Sequence, residues 1–177
     1  ISSSNEGADI LAQAADAAIR ARYPQAPHGD AALWRMKNLA QSLGLTHTYF
    51  LNVSGLDLSG TQSGAYGSAE DFAELFAYAA STTPESFSGT TRDGLLLTDE
   101  DGNTTSAFNT NEALGAIPGL IIGKTGYTDI AGGNLAVVFD VGLAHPVVAV
   151  VLGSTHDGRF ADMKRLVTAA RAAVAQQ

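Results

Sequence analysis

Apolar residues in the first half of the chain recur at the three- and four-residue spacing of amphipathic helices. Three such segments cover residues 6 to about 22, 30 to 43 and 68 to about 80. Residues 3–5 offer caps for the first helix, and Gly44 offers a C-terminal stop for the second. Ser68-Ala69-Glu70-Asp71 is typical of a capping box at the start of the third. Residues 45–66 are rich in Gly, Ser, Thr and Asn, which predicts an ordered connection without an element of its own.

The second half of the chain favours strands. Residues 95–98 and 104–108 flank a turn-forming stretch, which predicts a hairpin. Strand patterns follow at residues 119–127, 134–141 and 145–152, and the short turn between the last two requires an antiparallel pair. From Gly158 onward a helix face reappears, traced by Phe160, Met163, Leu166, Val167, Ala170 and Val174. This order of elements indicates an α+β fold in which helices cover an antiparallel sheet.

Composition excludes several classes of function. With 10 basic and 18 acidic residues the net charge is −8, and no basic block offsets it, so a nucleic-acid or anionic-membrane partner is not expected. An anionic ligand would need a local cationic site. The absence of cysteine excludes disulfides and thiol catalysis. The most apolar stretch, residues 135–152, is interrupted by Asp140 and Pro146 and falls short of a membrane-spanning helix.

Neither a metal nor a cofactor is expected. The four histidines, His28, His47, His145 and His156, show no metal-ligand spacing. The acidic run from Asp99 to Asp101 precedes Gly102 and could imitate a calcium loop, but the ligand pattern of a helix–loop–helix site does not follow. A solvated turn is the favoured interpretation.

Two short motifs suggest chemistry. Lys124-Thr125-Gly126 follows an apolar run, so a strand would deliver the lysine, and Ser3-Ser4-Asn5 precedes the first helix. Serine enzymes that recognise penicillin combine Lys-Thr-Gly and Ser-x-Asn with the nucleophile motif Ser-x-x-Lys. Each motif is weak alone, but their order and spacing are specific. On these motifs the chain resembles the serine-type D-alanyl-D-alanine carboxypeptidases, which are low-molecular-mass penicillin-binding proteins related to serine β-lactamases.

The resemblance runs along the whole chain. Other matching positions are Leu43-Gly44-Leu45, then Thr48, Phe50, Asn52, Gly55, Leu56 and Asp57, then Asn109-Thr110-Asn111 and Val151-Leu152-Gly153. It implies the transpeptidase-like fold of penicillin-binding proteins and β-lactamases. Residues 1–177 would be the C-terminal part of a single D,D-peptidase domain. A helical lobe would cover about 1–90, and the sheet with the terminal helix about 91–177.

The nucleophile motif cannot be found in the sequence. The residues three positions before the lysines Lys37, Lys124 and Lys164 are Trp34, Ile121 and Ala161. We therefore expect a longer precursor whose N-terminal strands and nucleophile helix are not among these residues, and a companion N-terminal polypeptide that carries Ser-x-x-Lys. Without that piece, apolar surface and strand edges would stay uncovered, so these residues should not be stable alone.

The resemblance assigns catalytic roles to four residues. Ser3 would relay a proton to the leaving amine, and Asn5 would hold the substrate amide. Lys124 would favour the substrate's carboxylate and align protons, and the backbone N–H of Tyr127 would contribute to the oxyanion hole. The alternatives are helix capping for Ser3 and Asn5 and an ordinary surface lysine for Lys124. Substrate binding would be shared by Lys124, by the hydroxyl of Thr125, and by Gly126, which lets the substrate backbone lie close.

The implied function is a D,D-carboxypeptidase that removes the terminal D-alanine of peptidoglycan stem peptides through an acyl-serine and is acylated by penicillin and other β-lactams. No cofactor is required. The resemblance places the protein outside the cytoplasm, in the periplasm or at the cell surface, although an export signal is not in this sequence. The alternatives are a non-catalytic peptidoglycan-binding scaffold that has lost its nucleophile and a β-lactamase-type hydrolase.

Overall fold

The computed structural model describes residues 1–142 and 144–175. This part of the chain contains the α-helices α1 (Asn5–Arg22), α2 (Ala31–Ser42), α3 (Ala69–Thr82) and α4 (Gly158–Val174). Short 3-10 helices cover Pro84–Thr91 and Leu114–Ala116. The strands are β1 (Tyr49–Phe50), β2 (Ala65–Tyr66), β3 (Gly94–Thr98), β4 (Thr104–Phe108), β5 (Leu120–Thr128), β6 (Gly132–Asp140) and β7 (Pro146–Ser154). The predicted α+β order of elements is confirmed.

The main differences from the sequence predictions lie in short elements. Residues 45–66 contain the two-residue strands β1 and β2, which form an antiparallel pair that periodicity did not predict. The 3-10 helix Pro84–Thr91 was also not predicted. The hairpin is confirmed, with β3 and β4 antiparallel and Gly94 opposite Phe108. The predicted turn after β6 includes Leu143, which lies outside the described residues.

The described chain divides into two compact units. Unit 1 comprises Ile1–Ser3, Phe76–Tyr127 and the described residues from Gly132 onward. Unit 2 comprises Ser4–Leu75 and Thr128–Ala131. No helix among residues 1–142 and 144–175 has the length and apolar character needed to cross a membrane.

The sheet of unit 1 has the strand order β5-β6-β7. Strands β6 and β7 are antiparallel, with Leu135 opposite Val151 and Asp140 opposite Pro146. All five residues from Leu135 to Phe139 are buried, so the central strand is covered on both faces rather than on one. Complete burial of each large apolar side chain stabilises the fold by about 1.5–3 kcal/mol relative to exposure.

Helix α4 packs on this sheet through a narrower face than the periodicity predicts. Phe160, Met163 and Val167 belong to the core that includes Leu135, Val137 and Phe139. Leu166, which the pattern placed on the same face, is 41% exposed. Residues 163 and 167 are one turn apart and point inward, whereas residue 166 is rotated by about 60° from 163 towards solvent.

In unit 2, side-chain oxygens organise the helices. Ser4 is the N-cap of α1, because its hydroxyl accepts a hydrogen bond from the Gly7 N–H at 2.9 Å. The Asp16 carboxylate accepts from the Gly29 and Ala31 N–H groups at 2.9 and 3.3 Å and so ties α1 to the start of α2. Residues 3–5 are all candidate caps by sequence, and Ser4 is the one that caps α1.

A buried carboxylate anchors the start of α3. Asp71 is 7% exposed and accepts hydrogen bonds from the Thr48 hydroxyl at 2.7 Å and the His47 N–H at 2.9 Å. Ser68 caps the helix by accepting from the Asp71 N–H at 3.1 Å, as the capping box predicts. Burial alone would raise the pKa of Asp71, but these hydrogen bonds lower it below its usual range. Asp71 is the buried residue of α3, although a charged side chain is seldom buried without partners.

Candidate active site

Strand β5 carries the Lys-Thr-Gly motif at the edge of the three-stranded sheet. Ile122 and Gly123 are buried, and the motif begins where the strand reaches solvent, with Lys124 exposed. The Lys124 ammonium donates to the Ser3 hydroxyl at 2.5 Å and also to the Thr125 carbonyl. Ser3 and Lys124 are 121 positions apart in the sequence, so the fold alone brings them together.

Ser3 has an unusual backbone conformation. Its φ is +57°, in the left-handed region that residues other than glycine seldom adopt. Such conformations persist where the surrounding structure holds them, often at functional sites. Here the Ser3 hydroxyl is bound to Lys124, while its neighbour Ser4 takes the capping role. Capping, the alternative considered for Ser3, is therefore done by a different residue.

Thr125 and Gly126 lie next along β5. Thr125 is 5% exposed, and its hydroxyl lies 2.5 Å from that of Thr110. The nearest neighbour of a Cβ built on Gly126 would be the Cβ of Asn134 at 3.8 Å, which is an ordinary van der Waals contact. Glycine at 126 is thus not required by packing within the described residues, because an added methyl group would meet no closer contact.

Arg159 lies beside the Lys-Thr-Gly motif, and no sequence motif identified it. It is 5% exposed, and its guanidinium donates to the Gly126 carbonyl at 2.7 Å. One signal exists in the sequence: Arg159 lies in the first turn of α4, where the helix dipole disfavours a positive charge. The hydrogen bond to the Gly126 carbonyl is an interaction that offsets this unfavourable effect of the helix dipole.

The aromatic ring of Tyr127 packs against His156. The two ring centroids are 4.9 Å apart in an edge-to-face arrangement. His156 also contacts the Asp157 carboxylate at 2.6 Å and lies 3.5 Å from the Arg159 guanidinium. The side chain of Tyr127 therefore has a packing role.

Lys124 and Arg159 bring two positive charges close together in a chain whose net charge is −8. Burial of the ammonium end of the side chain, followed by the positive charge of Arg159, lowers the pKa of Lys124 below that of an ordinary lysine. Lys124 and Arg159 are thus two cations close to the edge strand β5, and an anionic ligand would need such a local cationic site. A lysine with a lowered pKa is also better suited to exchange protons with the Ser3 hydroxyl.

Unit 1 therefore brings together Ser3, Lys124, Thr125, Gly126 and Tyr127. Asn5, the remaining predicted site residue, is the exposed first residue of α1 and belongs to unit 2. Among the described residues, no group of three or more His, Cys, Asp or Glu side chains is arranged to hold a metal ion.

The chain is similar in sequence to known proteins. The model of the D-alanyl-D-alanine carboxypeptidase family matches residues 12–156. The chain is 32% identical to D-alanyl-D-alanine carboxypeptidase DacA of Escherichia coli (strain K12) over 140 residues, which is 78% of this chain and 32% of that protein. It is 33% identical to DacF of Bacillus subtilis (strain 168) over 136 residues, which is 75% of this chain and 33% of that protein. The chain thus spans about a third of the length of these curated relatives.

Solved structures show the same fold. Penicillin-binding protein D2 from Listeria monocytogenes, in its cefotaxime-bound form, superposes with a TM-score of 0.74 at 29% identity. The match covers 94% of this chain and 60% of that one. A point mutant of the Streptomyces K15 DD-transpeptidase superposes with a TM-score of 0.69 at 20% identity, covering 91% and 60% of the two chains. The fold is that of penicillin-binding proteins, and the chain belongs to the D-alanyl-D-alanine carboxypeptidase family.

Proposed function

We propose that this chain forms one side of the substrate cleft of a serine D,D-carboxypeptidase, which removes the terminal D-alanine of peptidoglycan stem peptides. The observation that carries the proposal is the hydrogen bond from Lys124 to Ser3, which joins two separate motifs of the family at 2.5 Å. A scaffold that only bound peptidoglycan would not need a lysine of lowered pKa against a serine hydroxyl.

In the proposed reaction, a serine hydroxyl attacks the carbonyl carbon of the penultimate D-alanine. The C–N bond breaks, D-alanine leaves with a proton relayed through Ser3, and water then hydrolyses the acyl-serine ester. The positive charge of Lys124 stabilises the substrate's terminal carboxylate. Lys124 also helps to align the protons that are exchanged at Ser3. Asn5 holds the substrate amide, as the family resemblance implies.

Tyr127 is proposed to donate its backbone N–H to the developing oxyanion. Strand geometry supports this role. The Gly123 N–H donates to the Thr90 hydroxyl at 3.1 Å, away from the rest of the sheet. Backbone N–H groups of alternate residues point to the same edge of a strand, so those of Thr125 and Tyr127 face the same side as that of Gly123. Thr125 and Gly126 complete the contact surface for the substrate.

The nucleophile of this reaction must come from sequence outside these residues, because no Ser-x-x-Lys occurs in them. We propose that an N-terminal segment, either continuous with this chain or a companion polypeptide, supplies it. We also propose that the complete protein acts outside the cytoplasm, where its peptidoglycan substrate lies, and that β-lactams acylate it.

The test is intact-mass spectrometry of the full-length gene product after incubation with benzylpenicillin. We expect a covalent adduct on the serine of Ser-x-x-Lys, and none in the variant in which alanine replaces that serine. The same preparation should release D-alanine from an N-acylated peptide that ends in D-alanyl-D-alanine. A full-length protein that forms no adduct and releases no D-alanine would refute the proposal and favour a non-catalytic scaffold. Rapid hydrolysis of penicillin without peptidase activity would indicate a β-lactamase.

A further inference from the structure

Thr110 contacts both chain segments that carry the proposed machinery of unit 1. Its backbone N–H donates to the Ile1 carbonyl at 3.4 Å, in the segment that contains Ser3. Its hydroxyl lies 2.5 Å from the Thr125 hydroxyl on β5. The residue itself is exposed to solvent next to β5.

The loop that carries Thr110 is held on both sides of it. The Asn109 amide donates to the carbonyls of Thr90 and Arg92, each at 2.9 Å. The Asn109 side-chain oxygen accepts from the Asn111 N–H at 2.9 Å. Because its neighbours are tied down, the Thr110 hydroxyl has a fixed position without needing a ligand to order it.

The two hydroxyls together leave one hydrogen free. Each threonine hydroxyl has one hydrogen to donate and two lone pairs to accept, and the bond between Thr110 and Thr125 uses one of the two hydrogens. If Thr110 is the donor, the hydrogen of Thr125 remains for a ligand. Hydrogen bonds in such a chain strengthen one another. Thr125 is almost fully buried, so its hydroxyl has few other orientations available.

We propose that Thr110 is a positioning residue for recognition of the substrate's terminal carboxylate. Its hydroxyl donates to Thr125, which directs the Thr125 hydrogen towards the carboxylate. Lys124 and Arg159 attract an anion by charge, whereas the hydroxyl pair fixes where its oxygens lie. This inference rests on the proposed function, because the carboxylate is that of the D-alanyl-D-alanine substrate.

The experiment uses the full-length protein with Thr110→Val, which keeps the branched shape and removes the hydroxyl, and Thr110→Ser, which restores it. Thr110→Ala is a smaller second variant in case valine disturbs the loop. For each, kcat/KM is measured on an N-acylated peptide ending in D-alanyl-D-alanine and on the same peptide with a C-terminal carboxamide. The ratio of the two values reports the preference for a carboxylate.

We expect Thr110→Val and Thr110→Ala to lower this ratio about tenfold, the effect of one misaligned hydrogen bond to a charged group, and Thr110→Ser to stay within about twofold of wild type. An equal loss on both peptides would overturn the inference, because it would indicate a general structural role. An unchanged ratio would overturn it as well. A wild-type protein that releases no D-alanine from the acid peptide would instead overturn the proposed function, and this assignment with it.

Discussion

At Gly126, the effect of one added methyl group on substrate contact can be measured separately from its effect on folding. A Cβ at this position would have Asn134 Cβ, at 3.8 Å, as its nearest neighbour, and the backbone is not in the left-handed region. The fold therefore has room for alanine. Since alanine also restricts the unfolded chain more than glycine does, Gly126→Ala should leave the free energy of unfolding unchanged or raise it by up to about 1 kcal/mol.

The same methyl should obstruct the substrate. In the proposed complex the substrate backbone lies against β5 at Gly126, where an added methyl would fill the space the substrate needs. Overpacking of a close contact by one methyl costs about 1–3 kcal/mol. This corresponds to a loss of about 5- to 150-fold in the second-order rate constant for acylation by benzylpenicillin. The assay is adduct formation over time in the full-length protein, followed by intact mass.

Gly133→Ala is the matched control on the neighbouring strand. A Cβ there would overlap the Thr155 carbonyl oxygen, so the backbone must shift. We expect it to lower the free energy of unfolding by at least about 1 kcal/mol, measured by urea denaturation. Substrate contact at Gly126 would be refuted if Gly126→Ala reacts with penicillin within about twofold of wild type, or if it destabilises the fold as much as Gly133→Ala does.

Three further predictions concern charge, capping and packing. Because burial and Arg159 lower the pKa of Lys124, competitive acetylation should give Lys124 a pKa below the value of about 10.4 of a free lysine side chain. Arg159→Met should raise the pKa of Lys124. A Lys124 profile that matches a lysine standard would contradict this prediction. Ser4→Ala should lower the free energy of unfolding by about 1 kcal/mol in urea denaturation through loss of the α1 cap, and no change would show that the cap is not needed. Met163→Ala should lower the free energy of unfolding by about 2–5 kcal/mol, whereas Leu166→Ala, at an exposed position, should lower it by about 0.5 kcal/mol or less. Equal losses of stability would contradict the packing of α4.

The longer elements could be predicted from sequence because local patterns specify them. The bounds of the first two helices agree within two residues, since apolar spacing and the Gly44 stop mark them. The same is true of β6, which begins at Gly132 instead of residue 134. The two-residue strands β1 and β2 could not be predicted, because so short a strand has no periodicity of its own and forms only when its partner is in place.

Buried polar groups were the least predictable part of the fold. Asp71 is an acidic residue in the first turn of α3, and such residues are normally exposed. It is buried because Thr48 and His47, in a different segment, supply its hydrogen bonds. Arg159 is similar, since its partner is a carbonyl on β5. In both cases the hydrogen-bond partner is more than twenty residues away in sequence, so no local pattern predicts the contact.

The candidate site could not be predicted from the two motifs alone. Ser-x-Asn and Lys-Thr-Gly are each common by chance, and nothing in their local sequence says that they meet. In the structure, Ser3 and Lys124 are in hydrogen-bond contact, and the strained φ of Ser3 places its hydroxyl there while Ser4 caps the helix. Helix capping and the proposed proton relay thus fall on adjacent serines, so each can be removed without the other. Ser3→Ala should reduce acylation of the full-length protein without the loss of stability expected for Ser4→Ala, and that contrast tests whether Ser3 is held in place for the reaction.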